Sequence, residues 1–393
     1  MNGFWSVQKT FTRLDAENAL YHHLIKDTMT QRLKGTKRQE KFFSSSYGSI
    51  VPSSRYSIIF TRWLTLVPLC LLFISCGKGQ PGVPVNSEVG LVFDVGGRGD
   101  KSFNDAAYLG IQTAKDSLGV NFQYVEPSGG SDRESALRQL ASQKGIGLIF
   151  GVGFIFTDDI TNVAKDFPDK KFACIDYSYD PGKPLPPNLI AIEFREEEGS
   201  FLVGALAALI TKTNIVGFVG GMESPLIKKF QAGYEAGVKY VNPKAKVLIA
   251  YAGVTGDAFK NPAKGKELAL SQYSQGADII YHASGVTGLG VFEAAREMKK
   301  YAIGVDMDQW KEAPGYVLTS MVKKGNVAVY DIIKKWKDGN FEGGRAEVFG
   351  LADDGVDLVY DQNNKSMIPQ NAYDKIKSLK QQIISGQIKV PTE

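Results

Sequence analysis

From residue 88 onward, short apolar runs alternate with amphipathic stretches, and this alternation constrains the fold more than any other feature of the chain. Residues 88–95 (EVGLVFDV) form the first apolar run. In residues 103–119, which follow, apolar side chains recur at helical spacing up to a glycine, which is typical of a helix and its end. Because the same order repeats, we expect parallel sheets joined by right-handed crossovers.

The alternation falls into two successive series, the second beginning at EEEGSFLVGALAALITKT. Two doubly wound units predict an α/β protein with two parallel-sheet lobes and a cleft between the carboxyl ends of their strands. The remaining tail is too short for a third unit, so we expect it to cross back and complete both lobes. We therefore assign residues 88–192 plus 321–345 to lobe 1 and residues 193–320 plus 346–393 to lobe 2.

The net charge of +4 belongs to the N-terminal part of the chain. Residues 1–75 contain ten Lys or Arg and four Asp or Glu, which leaves a net charge of −2 for the rest. This balance argues against a nucleic-acid partner.

Residues 62–75 have the pattern of a secretory signal. Arg62 precedes an apolar run that is too short to span a membrane comfortably. The LFISC sequence that ends it resembles a lipobox, which predicts a lipid on Cys76 (diacylglyceryl, with fatty acids such as palmitate), a lipid-anchored tether over residues 76–87, and a place on the periplasmic or outer face of the cell membrane. An ordinary signal peptide and an uncleaved anchor are the alternatives. Residues 1–61 lack sustained apolar periodicity, so we interpret them as an extension from a misassigned start codon, without a fold of its own.

Few residues suited to metal binding or nucleophilic catalysis remain after such processing. Cys76, Cys174 and His282 are the only cysteines and histidine from residue 76 onward. This excludes a disulfide framework, a Cys/His metal cluster and a Cys-His dyad, and we expect neither a metal nor a cofactor.

Polar and aromatic residues gather where the predicted strands end, which is where such sheets bind ligands. Aspartates at single strand ends are often only helix caps, glycines often only permit a turn, and a loop Phe often only extends the core. Carboxylates repel phosphate but accept hydrogen bonds from sugar hydroxyls, and phenylalanines from two lobes suit a planar ring. A ligand that combines a planar aromatic ring with the vicinal hydroxyls of a sugar is a nucleoside. The residues concerned are Asp94, Ser102, Phe103, Asn104, Gly153, Asp176, Phe259, Gly285 and Asp306.

The segments DKSFND, GSFLVGALAAL, SGVTGLGV and IGVDMDQ together resemble the basic membrane protein (BMP) family, the PnrA-like substrate-binding lipoproteins of purine-nucleoside ABC transporters. The resemblance covers about residues 88–390. It implies a type I periplasmic-binding-protein fold, no enzymatic activity, and a monomer anchored to the membrane by lipid. The partners it implies are an ABC permease and a purine nucleoside such as inosine, guanosine or adenosine.

The resemblance also implies roles for individual residues. Phe103 and Phe259 match the positions that flank the purine. Asp306 and Lys323 match those that hold the ribose hydroxyls, with Gly285 approaching through its backbone. Positions near the purine edge are matched by Asp94, Asn104 and Asp176. Arg98, Gly99 and Gly153 depart from the usual family pattern near the base end, which leaves the preferred base open.

Three other functions remain open at this point. A nucleoside hydrolase would need clustered aspartates on one loop, whereas these carboxylates come from separate strands, and His282 lies within a strand. A sugar or amino-acid binding protein would use similar side chains. An adhesin or surface-antigen role is neither supported nor contradicted by any sequence feature.

Overall fold

The computed structural model describes residues 88–128 and 132–393. The predicted extension, signal region, Cys76 and tether lie outside these residues. Within them, no helix is both long enough and apolar enough to cross a membrane.

The first lobe is built on a six-stranded sheet in which every neighbouring pair is parallel. Its strands are β1 (Glu88–Val92), β2 (Asn121–Val125), β3 (Ile146–Val152), β4 (Lys171–Ile175), β5 (Leu189–Phe194) and β11 (Arg345–Phe349). The order is β2-β1-β3-β4-β5-β11. The helices are α1 (Phe103–Leu118), α2 (Arg133–Ala141), α3 (Thr157–Asp166) and α8 (Gly325–Lys337).

Alternate strand residues of this sheet face two separate cores. Leu91 packs with α1 and α8 on one face, and Val92 packs with α2 and α3 on the other. Burial on both faces explains why the strands are almost continuously apolar. The lobe is therefore doubly wound, as the sequence predicts.

The second lobe repeats this plan. Its strands are β6 (Ile215–Met222), β7 (Lys246–Gly253), β8 (Ile279–Ala283), β9 (Tyr301–Asp306), β10 (Val317–Lys323) and β12 (Val356–Leu358), in the order β7-β6-β8-β9-β10-β12. Only the β10–β12 pair is antiparallel among the strands described. The helices are α4 (Glu196–Ile210), α5 (Pro225–Val241), α6 (Pro262–Ser274), α7 (Thr287–Met298) and α9 (Gln370–Ile384).

The chain passes between the sheets after β5, after β10 and after β11. These sheet memberships shift the expected lobe limits by a few residues. Residues 321–323 belong to the second sheet because β10 runs to Lys323, whereas β5 and β11 keep residues 193–194 and 346–349 in the first. The crossing segments pair with one another: Arg195 N donates to Phe349 O at 2.9 Å, and Lys324 N donates to Gly355 O at 2.8 Å.

Candidate ligand-binding site

A cavity lies between the lobes at the point where the strand order of each sheet reverses. This reversal falls between β1 and β3 in the first lobe and between β6 and β8 in the second. Loops diverge at such points and leave a crevice. Asp94 follows β1, Phe154 follows β3 and Gly285 follows β8, and all three line the cavity. It contains about 500 Å³ of empty space, part of it open to solvent.

Eight of the ten predicted site residues line this cavity, and they come from both lobes. The fold therefore brings together residues that are up to 229 positions apart, the separation of Asp94, which the strand ends indicate, and Lys323, which the family resemblance implies. The eight residues are Asp94, Phe103, Asn104, Asp176, Phe259, Gly285, Asp306 and Lys323.

Lys323 lies at the centre of a buried charge cluster. Its Nζ donates to Asp176 Oδ2 at 2.6 Å and lies 3.9 Å from Asp306 Oδ1 and 3.6 Å from Glu196 Oε1. The ring centroid of Phe103 is 4.7 Å from Nζ. Burial lowers the pKa of Lys323, but the three carboxylates outweigh burial and raise the pKa above its ordinary value. The ammonium group therefore stays charged although the side chain is only 3% exposed.

Asp176 and Asp306 end equivalent strands and share an unusual backbone conformation. Their φ angles are +59° and +64°, in the left-handed region that non-glycine residues seldom adopt. Both residues line the cavity. Asp176 Oδ1 is buried without a hydrogen-bond partner, which is rare for a carboxylate oxygen and leaves an acceptor available.

Asp176 adjoins both groups of polar residues in the cavity. The family pattern groups it with Asp94 and Asn104 at the purine edge, and its charge contributes to the raised pKa of Asp94. Asp176 also pairs directly with Lys323, beside Asp306.

Aromatic rings from both lobes border the cavity. Phe103 begins α1, and Phe259 ends the short turn Gly256–Phe259 of the second lobe. Phe154 of the first lobe meets Phe259 edge to face, with centroids 6.4 Å apart and planes at 75°. Both Phe103 and Phe259 are half-buried, so each keeps surface available within the cavity.

Asp94 and Asn104 form a second polar group on the first lobe. Asn104 Oδ1 accepts from Asp94 N at 2.9 Å, and Asn104 Nδ2 donates to Asp100 Oδ2 at 3.1 Å. Asp100 also accepts from the backbone N–H groups of Ser102, Asn104 and Asp105, which fixes the start of α1. Burial raises the pKa of Asp94 to about 7.

Two predicted site residues, Ser102 and Gly153, do not line the cavity, and each instead contacts a residue that does. Ser102 Oγ donates to Asp306 Oδ2 at 2.5 Å across the lobes. Gly153 has a φ of +114°, and a Cβ there would lie 2.1 Å from Asp94 Oδ2. Gly153 is therefore needed to leave room for the Asp94 carboxylate.

Arg98 does not reach the cavity either. Its Nε donates to Asp105 Oδ1 at 3.0 Å, and its guanidinium carbon lies 3.3 Å from the ring centroid of Tyr108. This departure from the family pattern therefore leaves the cavity wall unchanged.

Sequence reasoning missed part of the wall. An apolar side of the cavity comes from the first turns of α5, where the sequence shows only an amphipathic helix. Phe154 follows β3, but the sequence pattern alone does not single it out as a site residue. Glu196 was hidden in a run of three glutamates that reads as a solvated helix start. The lining residues that sequence reasoning missed are Val95, Asp100, Phe154, Leu226, Ile227, Phe230, Ala283, Ser284 and Val305.

The remaining reactive groups lie away from the cavity wall. His282 is fully buried, donates from Nε2 to Gln309 Oε1 at 3.1 Å, and has a pKa lowered to about 4 by burial. Burial also raises the pKa of the Cys174 thiol. Within residues 88–128 and 132–393, no group of three or more His, Cys, Asp or Glu side chains is arranged to hold a metal ion.

Comparison with known proteins gives consistent similarities over almost all of the described chain. The family model for PnrA-like ABC transporter substrate-binding proteins matches residues 87–393. Basic membrane protein A of Borreliella burgdorferi is 37% identical over 328 residues, covering 82% of this chain and 93% of that protein. The ABC transporter nucleoside-binding protein BmpA of Lactococcus lactis is 36% identical over 332 residues, covering 79% and 91%.

A solved structure supports the same relationship. A crystal structure of ABC transporter system solute-binding proteins from Aeropyrum pernix K1 matches with a TM-score of 0.70 and 30% sequence identity, covering 78% of this chain and 94% of that one.

Proposed function

Because this chain belongs to the PnrA-like family of ABC transporter substrate-binding proteins, we propose that it captures a purine nucleoside between its lobes and delivers it to an ABC permease. The family consists of extracytoplasmic substrate-binding proteins, which are not enzymes. The proposal concerns the ligand, the permease and the anchor.

The observation that carries the proposal is the free acceptor of Asp176. Its Oδ1 is buried, has no hydrogen-bond partner and belongs to a residue that lines the cavity. A buried carboxylate oxygen left unpaired costs free energy, so the site is best satisfied by a ligand that donates hydrogen bonds there. With Asp306 as a second acceptor and Lys323 as a donor, the matching group is a vicinal diol.

The rest of the cavity suits a planar base. Phe103 and Phe259 contribute ring surface from opposite lobes, and stacking on an aromatic ring contributes about 1–3 kcal/mol per base. Asp94 and Asn104 supply hydrogen-bonding groups for the base edge. A free nucleoside is favoured over a nucleotide, since the carboxylates of Asp94, Asp176 and Asp306 would repel a phosphate.

Capture requires closure of the lobes around the ligand. Lys323 of the second lobe bonds Asp176 of the first at 2.6 Å, and Gln309 Nε2 donates to Lys101 O at 2.9 Å. A ligand that contacts both lobes stabilises this arrangement over an open one because it binds the closed form better. The permease then receives a closed, loaded protein.

We also propose that Cys76 carries the lipid that holds the protein at the membrane. Residues 76–87 would then act as the tether between the lipid and the lobes, since a segment rich in Gly and Pro is typical of a linker. Intact-mass analysis of protein from membranes tests this: a diacylglyceryl mass increment on an N-terminal Cys76 is expected, and a chain that retains residues 1–75 contradicts it.

Calorimetry with purified soluble protein tests the ligand class. We expect inosine, guanosine or adenosine to bind, and native mass spectrometry to detect a nucleoside that co-purifies. Competition by a hexose or an amino acid, but by no nucleoside, would establish a different ligand class. Inosine recovered unchanged after incubation agrees with a binding protein, whereas release of the free base would identify a hydrolase.

A further inference from the structure

Glu196 is a buried carboxylate beside Lys323 that does not itself line the cavity. It is the first residue of α4, immediately after the chain crosses from β5 into the second lobe. Its exposure is 0%, and neither carboxylate oxygen has a hydrogen-bond partner among the described residues. Burying such a group is costly unless charges compensate it, so its surroundings require an explanation.

Two lysines provide that compensation. Lys323 Nζ lies 3.6 Å from Glu196 Oε1, and Lys229 Nζ on α5 lies 3.6 Å from Oε2. Burial raises the pKa of Glu196 to about 8, Lys323 and Lys229 oppose this rise, and Asp176 adds to it. Glu196 therefore bridges the cavity lysine and a second, half-buried lysine.

Glu196 and Lys323 belong to the same lobe. The first turn of α4 packs directly on β10, since a Cβ on Gly199 would lie 2.7 Å from Met321 Sδ. Asp176, in contrast, belongs to the first lobe. Opening of the lobes would thus remove Asp176 from Lys323 while Glu196 stays beside it.

We propose that Glu196 is a positioning residue that holds the Lys323 ammonium toward the sugar hydroxyls before the lobes close. The inference rests on the proposed nucleoside function. Since Lys323 is held in place before the ligand arrives, less side-chain entropy is lost on binding. Glu196 itself does not contact the ligand, and its effect passes through Lys323.

Glu197 provides a matched control on the same helical turn. It is 6% exposed, burial raises its pKa, and its Oε2 has no hydrogen-bond partner. Within the described part of the chain, its carboxylate forms no ion pair with Lys323. Glu196→Gln and Glu197→Gln therefore each replace a buried carboxylate at neighbouring positions, and only the first lies beside Lys323.

The test compares inosine with 2′,3′-dideoxyinosine, which lacks both ring hydroxyls of the sugar, by calorimetry at pH ~8.5, above the pKa of about 8. E196Q is expected to weaken inosine binding about tenfold and dideoxyinosine binding less than twofold. E197Q is expected to change both less than twofold. At pH ~6.5 the difference between parent and E196Q for inosine should shrink, because Glu196 is then protonated in the parent.

Equal losses for the two ligands in E196Q, or unchanged inosine affinity at the higher pH, would overturn the inference and leave the proposed function standing. A parent protein that binds no inosine would overturn both. Should E196Q fail to fold, Glu196→Asp keeps the charge but moves it from Lys323. A loss confined to inosine is then expected, and a loss shared by both ligands contradicts the idea.

Discussion

Replacing Phe259 with Leu is the sharpest test of the proposed sandwich between the lobes. The change removes the aromatic face and keeps most of the apolar volume. Phe259 lines the cavity from the second lobe, where Gly221 leaves room for its ring: a Cβ on Gly221 would lie 2.3 Å from the Phe259 ring. Phe259 suits this test better than Phe103, because Phe103 lies 4.7 Å from Lys323 Nζ and its replacement would also disturb that ammonium.

The expected loss follows from stacking energies. One base stacked on one aromatic ring contributes about 1–3 kcal/mol, which corresponds to about 5- to 150-fold in affinity. The loss of inosine affinity should fall near the middle of this range. The Leu side chain retains apolar contact with the base, and Phe154 still lines the cavity. Ring centroids of Phe154 and Phe259 are 6.4 Å apart.

Calorimetric titration with inosine measures this loss. Phe122→Leu is the matched control, because Phe122 packs against Tyr108, with centroids 5.8 Å apart, and does not line the cavity. The control should bind inosine like the parent. Inosine affinity within twofold of the parent in the Phe259 variant would refute the reasoning and remove the planar base from the proposal.

Three further predictions concern the carboxylates and one glycine. Asp306→Asn should weaken the binding of inosine about 10- to 100-fold, as expected for the loss of a hydrogen bond to a charged group. Asp308→Asn, at an exposed position outside the cavity, should leave the affinity for inosine unchanged, and calorimetry measures both. Gly153→Ala should lower the melting temperature markedly because of its collision with a carboxylate, whereas Gly339→Ala, at a φ of +76° with open space around it, should lower it less. The pKa of Asp94 is raised from 3.8 to about 7, so its contribution to stability is complete below pH 3.8 and is lost as pH rises through 7. The melting temperature of Asp94→Asn should therefore depend less on pH over this range than that of the parent protein.

The architecture was predictable from sequence because burial on both sheet faces makes the strands nearly continuous apolar runs. Leu91 and Val92 illustrate this: both are 0% exposed, yet they face different cores. Strand ends could then be located, and since parallel strands end at one edge, the residues that follow them had to converge. Asp94, Asp176 and Asp306 were found in this way.

Other parts of the site depend on packing between elements that are distant in sequence, which single-sequence patterns do not report. Phe230 reaches the cavity because α5 begins at its edge, and nothing in an amphipathic pattern indicates that. Glu196 looks like an exposed first-turn acid, yet packing of α4 on β10 buries it completely. The sequence predicts Ser102 as a ligand-binding residue. Its hydrogen-bond partner in the structure is Asp306 of the second lobe, which lies far from it in sequence.

The contacts that join the lobes determine how strongly the closed form is favoured with and without a ligand. The hydrogen bonds from Ser102 Oγ to Asp306 Oδ2 at 2.5 Å and from Lys323 Nζ to Asp176 Oδ2 at 2.6 Å are charge-assisted, and such bonds are stronger than those between neutral groups. Closure buries these same charges, and desolvation offsets much of that gain. These contacts therefore favour the closed form without ligand only weakly. A ligand that satisfies Asp176 Oδ1 and contacts both lobes tips this balance, so a substitution that weakens closure reduces apparent affinity without touching the ligand.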